Sequence, residues 1–185
     1  MKNEKEEEQS IDINNIAECL VNGGINNKQR RFAWKVIMDI PDFTPTIAPS
    51  KKHPDYEQVE RDVKRSFNQV SDEKFKEHRR KVLLDVTMSV LERHKDLHYY
   101  QGFHDIASVV LAIARPPLAM LFLERLALGP LFPFFCSNFD GLVSILNLFN
   151  PLISLVDKEL GGFFSDNDVD LNFIVPYIIT WFTHK

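Results

Sequence analysis

Leu97-His98-Tyr99-Tyr100-Gln101-Gly102-Phe103-His104-Asp105-Ile106 is the stretch from which the rest of the chain is read. It sets three aromatics, two histidines, a glutamine and a glycine between two segments with helical patterning. An ordinary loop favours Ser, Asn, Pro and charge rather than Tyr-Tyr-Gln-Gly directly before an apolar run. Gly102 permits a backbone conformation that a side chain forbids, or the close approach of another surface. The run Ile106–Ala114 reads as a buried helix, so Gln101 stands at or near a helix start, where free backbone N–H groups point outward. Its amide, donor and acceptor at once, suits holding a water rather than taking its proton. Taken alone, the stretch reads first as an aromatic corner that packs two helices.

Working outward toward the N-terminus, Ser71-Asp72-Glu73 opens the longest helix. Its apolar set is Phe75, Val82, Leu83, Val86, Val90 and Leu91, and it fades at His94-Lys95-Asp96. Before it, Pro54 suits a first helical turn, which predicts a helix from about Asp55 to Asn68 with Val59, Val63 and Phe67 on its buried face. Asp62 and Arg65, three apart, meet on one side of that helix. A loop marked by Pro41, Pro45 and Pro49 precedes it, and loops of that length are uncommon and tend to be functional or mobile. Upstream lie a helix from about Asn27 to Asp39 and a short one holding Ile13, Ile16, Ala17 and Leu20. Ser10 caps the short helix and Gly23-Gly24 ends it. Residues 1–9 form a solvated acidic tail.

In the other direction, Pro116-Pro117 stops the central helix, and Leu118–Leu128 forms the next, ended by Gly129-Pro130. Leu142–Phe149 and Leu152–Leu160 continue the helical pattern, with Gly161-Gly162 as a stop. The final segment, Asp170–Lys185, breaks off within an aromatic-rich pattern, where domains usually fray through polar residues. That ending predicts a fragment, or a reading frame that stops early. No segment alternates at period two, so the fold is expected to be all-α.

Composition narrows the function classes. The chain has 185 residues, 44% hydrophobic and 26% charged, the balance of one globular domain. Fifteen Phe demand a substantial core or a partner, and a net charge of −4 gives no reason to expect nucleic-acid binding. Two cysteines, Cys19 and Cys136, show no metal spacing and read as free thiols in a reducing compartment. The acidic N-terminus is too polar for a signal peptide, and no apolar run approaches a membrane span, so a cytoplasmic location is expected. No Gly-x-x-x-x-Gly-Lys-Ser/Thr or Gly-x-Gly-x-x-Gly loop is present, which argues against nucleotide binding by the chain itself. His94 and His98 could share a helical face, but no carboxylate or cysteine stands at a matching position, and no metal is expected. No Ser or Cys stands in a recognisable nucleophile setting, and the paired carboxylates Glu7 and Glu8 lie in the tail.

Two short motifs remain: Val59-x-x-Asp62-x-x-Arg65 and Tyr99-x-Gln101. Together they resemble the signature of the TBC domain, a helical module that accelerates GTP hydrolysis by Rab GTPases. There the motifs run Ile-x-x-Asp-x-x-Arg and Tyr-x-Gln, in this order and at comparable separation. Gly24-Ile25 followed by Arg30 and Trp34, the His53-Pro54-x-Tyr56 opening, and Trp181-Phe182 also look like this family. The stretch His98–Ile106 is most similar to the branch anchored at the endoplasmic reticulum, which acts on early secretory Rabs. Val59 for Ile is a change of one methylene, and His104 stands where many members have Asn.

The resemblance implies a domain over residues 23–185, preceded by a tail and short helix over 1–22. It implies Arg65 as an arginine finger and Gln101 as a glutamine finger. Asp62, Tyr99 and Gly102 would support them, and Arg30, Trp34, Tyr100 and Trp181 would meet the partner. The implied partner would be a GTP-bound Rab that carries the GTP and Mg itself, at the cytosolic face of the endoplasmic reticulum or Golgi. A C-terminal helical lobe, and any membrane anchor beyond it, would belong to a longer product. The chemistry suits these residue types. A guanidinium neutralises the charge that builds up in phosphoryl transfer, and a glutamine amide holds the attacking water in line. Arg65 in isolation would be a solvated helix residue paired with Asp62, and only the second motif lifts it above that. A non-catalytic helical binding module is the other reading, and the missing lobe favours it.

Overall fold

The structure is a computed structural model, described for residues 13–136 and 140–184. Its described residues form helices and connecting loops with no strand, as the sequence predicts. The acidic tail over 1–9 and the cap expected at Ser10 lie outside the described residues.

The organising element is α4, Glu73–Arg93, whose C-terminal half is buried all round: Leu83, Val86, Met88, Val90 and Leu91 are accompanied by Thr87 and Ser89. Burial on every face follows from its neighbours. It packs against α3 (Tyr56–Lys64), α5 (Phe103–Ile113) and α6 (Pro116–Leu128). Its first half is charged and exposed, and Phe75, read from the sequence as a core position, is exposed there. The cap is Asp72, whose carboxylate accepts the Phe75 N–H at 3.0 Å. Trp34 of α2 (Asn27–Ile37) packs edge-on against Phe122 of α6, closing one side of the core. The proline-marked loop is tied down from within the core: Ser89 Oγ accepts the Ala48 N–H at 2.9 Å. A short α1 (Ile13–Val21) precedes α2.

Several boundaries differ from the sequence reading, each for a local reason. Helix α3 ends at Lys64 rather than near Asn68. The Arg65 and Ser66 N–H groups bond to carbonyls three residues back, and Phe67 turns left-handed at φ +60°. Pro116-Pro117 opens α6 rather than merely stopping α5, because proline at the first helical positions loses no hydrogen bond. The four-residue α7 (Phe132–Phe135) has no signal in the sequence beyond its aromatics. Helix α8 (Asp140–Val156) runs continuously through Pro151, where two helices are expected, at the cost of one backbone bond. Gly161-Gly162 lies inside α9 (Lys158–Asp166) and does not stop it. A Cβ at Gly161 would stand 2.6 Å from Ser154 Cα, so the glycine lets α9 lie directly on α8. A 3₁₀ turn (Leu171–Ile174) leads into α10 (Val175–Ile179), which closes over the start of α5. No helix among the described residues is long and apolar enough to cross a membrane.

Candidate functional site

The site is built where the end of α3 meets the start of α5. Asp62 lies on the last turn of α3 with its side chain only 5% exposed, while Arg65, three residues on, is 67% exposed. Arg65 is the residue that caps α3, so its backbone is held by the helix while its side chain leaves it. Its guanidinium Nη2 donates to Asp62 Oδ1.

The other Asp62 oxygen reaches across to the Tyr-x-Gln segment, where the Tyr99 hydroxyl donates to Oδ2 at 2.9 Å. His104 Nδ1 lies 2.8 Å from the same hydroxyl. Tyr99 has one proton and gives it to the carboxylate, so Nδ1 is the donor and the phenol oxygen accepts. Burial, then the Asp62 charge, pushes the Tyr99 phenol far above its ordinary value, which keeps it a donor. Burial likewise lowers the pKa of His104, against the opposing pull of Asp105 and Asp62. Tyr99 is also held by its backbone, whose N–H donates to Asp55 Oδ2 at 2.9 Å. Asp55 begins α3 but makes no cap bond there, leaving its carboxylate for this contact.

Gly102 starts α5 at φ +112°, in the left-handed region, and a Cβ there would meet Thr180 Cγ2 at 2.6 Å. Conformation and space both require glycine at this position. Gln101 is exposed immediately before it.

Arg65 and Gln101 line one groove of about 990 Å³ between the α3–α4 turn, α5 and α10. Its walls include Phe67, Arg79, His104 and Thr180. The turn after Arg65 is braced from α4: Arg80 Nε donates to Ser66 O at 3.0 Å, and its Nη2 donates to Asn68 Oδ1 at 3.1 Å. Asn68 Nδ2 in turn donates to Arg65 O at 2.8 Å. At the far wall His184 Nδ1 lies 2.8 Å from Asp105 Oδ2.

The residues expected at a partner surface divide. Arg30 and Trp181 are exposed, and neither lines the groove. Tyr100, against expectation, is core: it packs on Phe134 and Phe135, and its hydroxyl donates to Ile179 O at 3.1 Å. Trp34 is half-buried against Phe122, so most of its ring serves packing. Sequence reasoning missed Asp55, Arg80 and Thr180, because each acts on a neighbour distant in the chain, and it gave His104 no role although its partner Tyr99 stands in the same stretch. For Asp55 alone a signal existed: an acidic residue at a helix start whose carboxylate is free to bond elsewhere.

His94 does not face His98 across a metal. Its Nε2 is 2.6 Å from Glu124 Oε1, which Arg93 Nε also reaches at 2.7 Å. Burial acts to raise the Glu124 pKa, but these two bonds outweigh it and hold the carboxyl below its ordinary value. Among the described residues no three His, Cys, Asp or Glu side chains gather as a metal site would need.

Comparison with known proteins gives the family. Residues 27–185 match the Rab-GTPase-TBC domain. The chain is 32% identical over 169 residues to TBC1 domain family member 20 of Bos taurus and of Homo sapiens, and 37% identical over 170 residues to that of Mus musculus. These alignments cover 88% of the chain and 42% of each relative. It is also 39% identical over 93 residues to GTPase-activating protein GYP8 of Saccharomyces cerevisiae, covering 48% of the chain and 19% of that protein. The chain therefore belongs to the Rab-GTPase-TBC domain family, and it spans less than half the length of these relatives.

Proposed function

We propose that this chain accelerates GTP hydrolysis by a Rab-family GTPase, contributing Arg65 and Gln101 in trans. Arg65 acts as the arginine finger on the charge that builds on the transferring phosphoryl group, and Gln101 orients the attacking water. GTP and Mg belong to the partner. One observation carries the reading: both side chains open into one groove, and the segments that bear them are tied together through Asp62 and Tyr99. An exposed guanidinium on a rigid stalk is what a finger needs, since it must reach a second protein without losing its aim. An arginine supplied in trans accelerates such hydrolysis by about 10³–10⁵-fold. Asp62 and Tyr99 are positioning residues, and Gly102 fixes the backbone beside Gln101. Arg30 and Trp181 remain available to the partner. The setting is traffic between endoplasmic reticulum and Golgi, at their cytosolic face.

Single-turnover GTP hydrolysis by a panel of early secretory Rabs, with the chain and its Arg65→Ala variant, tests this. Acceleration that disappears in the variant supports it. A cooperatively melting chain that accelerates none of them would leave a binding module without catalysis.

A further inference from the structure

A second cavity of about 360 Å³ opens beside the groove. Arg31 of α2, His78 and Arg79 of α4, and Arg115 at the junction of α5 and α6 line it, together with the apolar Leu111 and Pro116. Among the described residues no carboxylate lines it, in a chain whose net charge is −4. Among the described residues none of the three guanidinium groups is paired with a carboxylate. Two are held by rings instead. Arg31 lies 4.8 Å above the centre of Phe32, and Arg79 lies 5.3 Å from that of Phe67. Stacking fixes a guanidinium plane and leaves its edge N–H donors free for a planar anion.

Position says what the anion belongs to. Arg79 and Ala112 line both this cavity and the groove that holds Arg65 and Gln101. A protein seated in the groove therefore overhangs the basic cavity. An anionic lipid headgroup carries suitable charge, but a bilayer would have to occupy the side already taken by that protein. We propose that the cavity receives an acidic, carboxylate-bearing segment of the GTPase docked in the groove, and so contributes to partner choice. This rests on the reading of the groove as the Rab-activating site. Guanidinium–carboxylate pairs at such a junction steer encounter and reject partners with basic residues there.

The test is the affinity of the chain for whichever Rab it activates, held on a non-hydrolysable GTP analogue, at two salt concentrations. Arg31→Glu and Arg115→Glu reverse the cavity's charge, and Lys158→Glu on exposed α9 controls for bulk charge. The expected result is a Kd raised about tenfold by each cavity reversal, with a flatter salt dependence of the association rate. The control keeps the parent affinity. Unchanged affinity in cavity variants that melt like the parent overturns the proposal, as does an equal loss in Lys158→Glu. Intact Rab affinity with lost binding to phosphatidylserine vesicles overturns it in favour of a membrane contact. The two readings fail separately: Arg65-dependent acceleration with no effect at Arg31 or Arg115 removes only the cavity's role. A parent chain that neither binds nor activates any Rab removes both.

Discussion

The Tyr99 hydroxyl and the Asp62 carboxylate meet at 2.9 Å across the junction of α3 and α5, and the other oxygen of that carboxylate holds Arg65. One buried carboxylate thus serves two elements distant in sequence. A charge this buried has to be satisfied on both oxygens, and Arg65 and Tyr99 do that from opposite sides. The exposed arginine is aimed by a buried group, and that group is itself aimed by the segment carrying Gln101.

Arg65→Ala should lower the single-turnover rate with a responsive Rab by about 10³–10⁵-fold. Arg65→Lys should recover little of it. A lysine is a point charge on a flexible stem and cannot donate to Asp62 and to a phosphoryl oxygen in the fixed fork of a guanidinium. Both variants should keep a cooperative thermal melt. A lysine variant close to the parent rate would mean that charge alone suffices and that the held geometry is incidental.

Tyr99→Phe removes one hydroxyl and leaves Asp62 Oδ2 and His104 Nδ1 without that partner. Unsatisfied buried groups cost about 1–3 kcal/mol, to be read from denaturant unfolding. The rate should fall less than in Arg65→Ala, because Tyr99 acts through Asp62. A double-mutant cycle with Asp62→Asn should return a coupling of about 0.5–3 kcal/mol. Additive effects would show that the two residues do not communicate.

How much of this was legible in the sequence depended on whether the signal was local. Val59 and Val63 mark the buried face of α3, and both are core. Asp62 and Arg65 are three apart, and they do pair. Phe67 was misplaced because its left-handed turn is set by Arg80 and Asn68, and helical periodicity does not anticipate a turn braced from another helix. The resemblance puts Tyr100 at the partner surface, and two adjacent tyrosines give no hint of which one turns inward. Its burial is decided by Phe134 and Phe135, on a helix with no sequence signature. The role of Thr180 over Gly102 was invisible for the same reason: it is a contact between the centre of the chain and its last helix.

That contact makes a two-part prediction. Gly102→Ala has to adopt φ +112° and to place its Cβ against Thr180 Cγ2. The left-handed conformation costs about 1–2 kcal/mol for an L residue, and the clash adds to it. Thr180→Ser removes the offending methyl and keeps the hydroxyl that donates to Pro176 O at 2.6 Å. The double variant should therefore regain part of the lost stability but not all of it. Full recovery would mean that the backbone tolerates alanine there. No recovery would mean that the close approach to Thr180 carries no energy.

His104 makes a prediction about pH. Burial holds its pKa below the ordinary 6.5, opposed by Asp105 and Asp62, with Arg65 and His184 also nearby on the lowering side. Above pH 6.5 the imidazole is neutral both folded and unfolded, and its contribution to stability is whole. As the pH drops below 6.5 the unfolded chain takes up a proton that the folded protein refuses. Stability then falls with decreasing pH, by at most about 1.4 kcal/mol per unit for one proton, and levels off once the pH passes below the folded pKa. His104→Asn cannot titrate and should lose that component, although losing the Nδ1–Tyr99 contact lowers its stability at pH 7.5. Unfolding free energies of the two proteins from pH 7.5 to 5 should therefore converge toward the acid end, since the other five histidines are common to both. A constant gap would mean that burial does not hold the proton off, and a widening one that the folded protein favours the charged imidazole and that this charge helps hold the network around Tyr99.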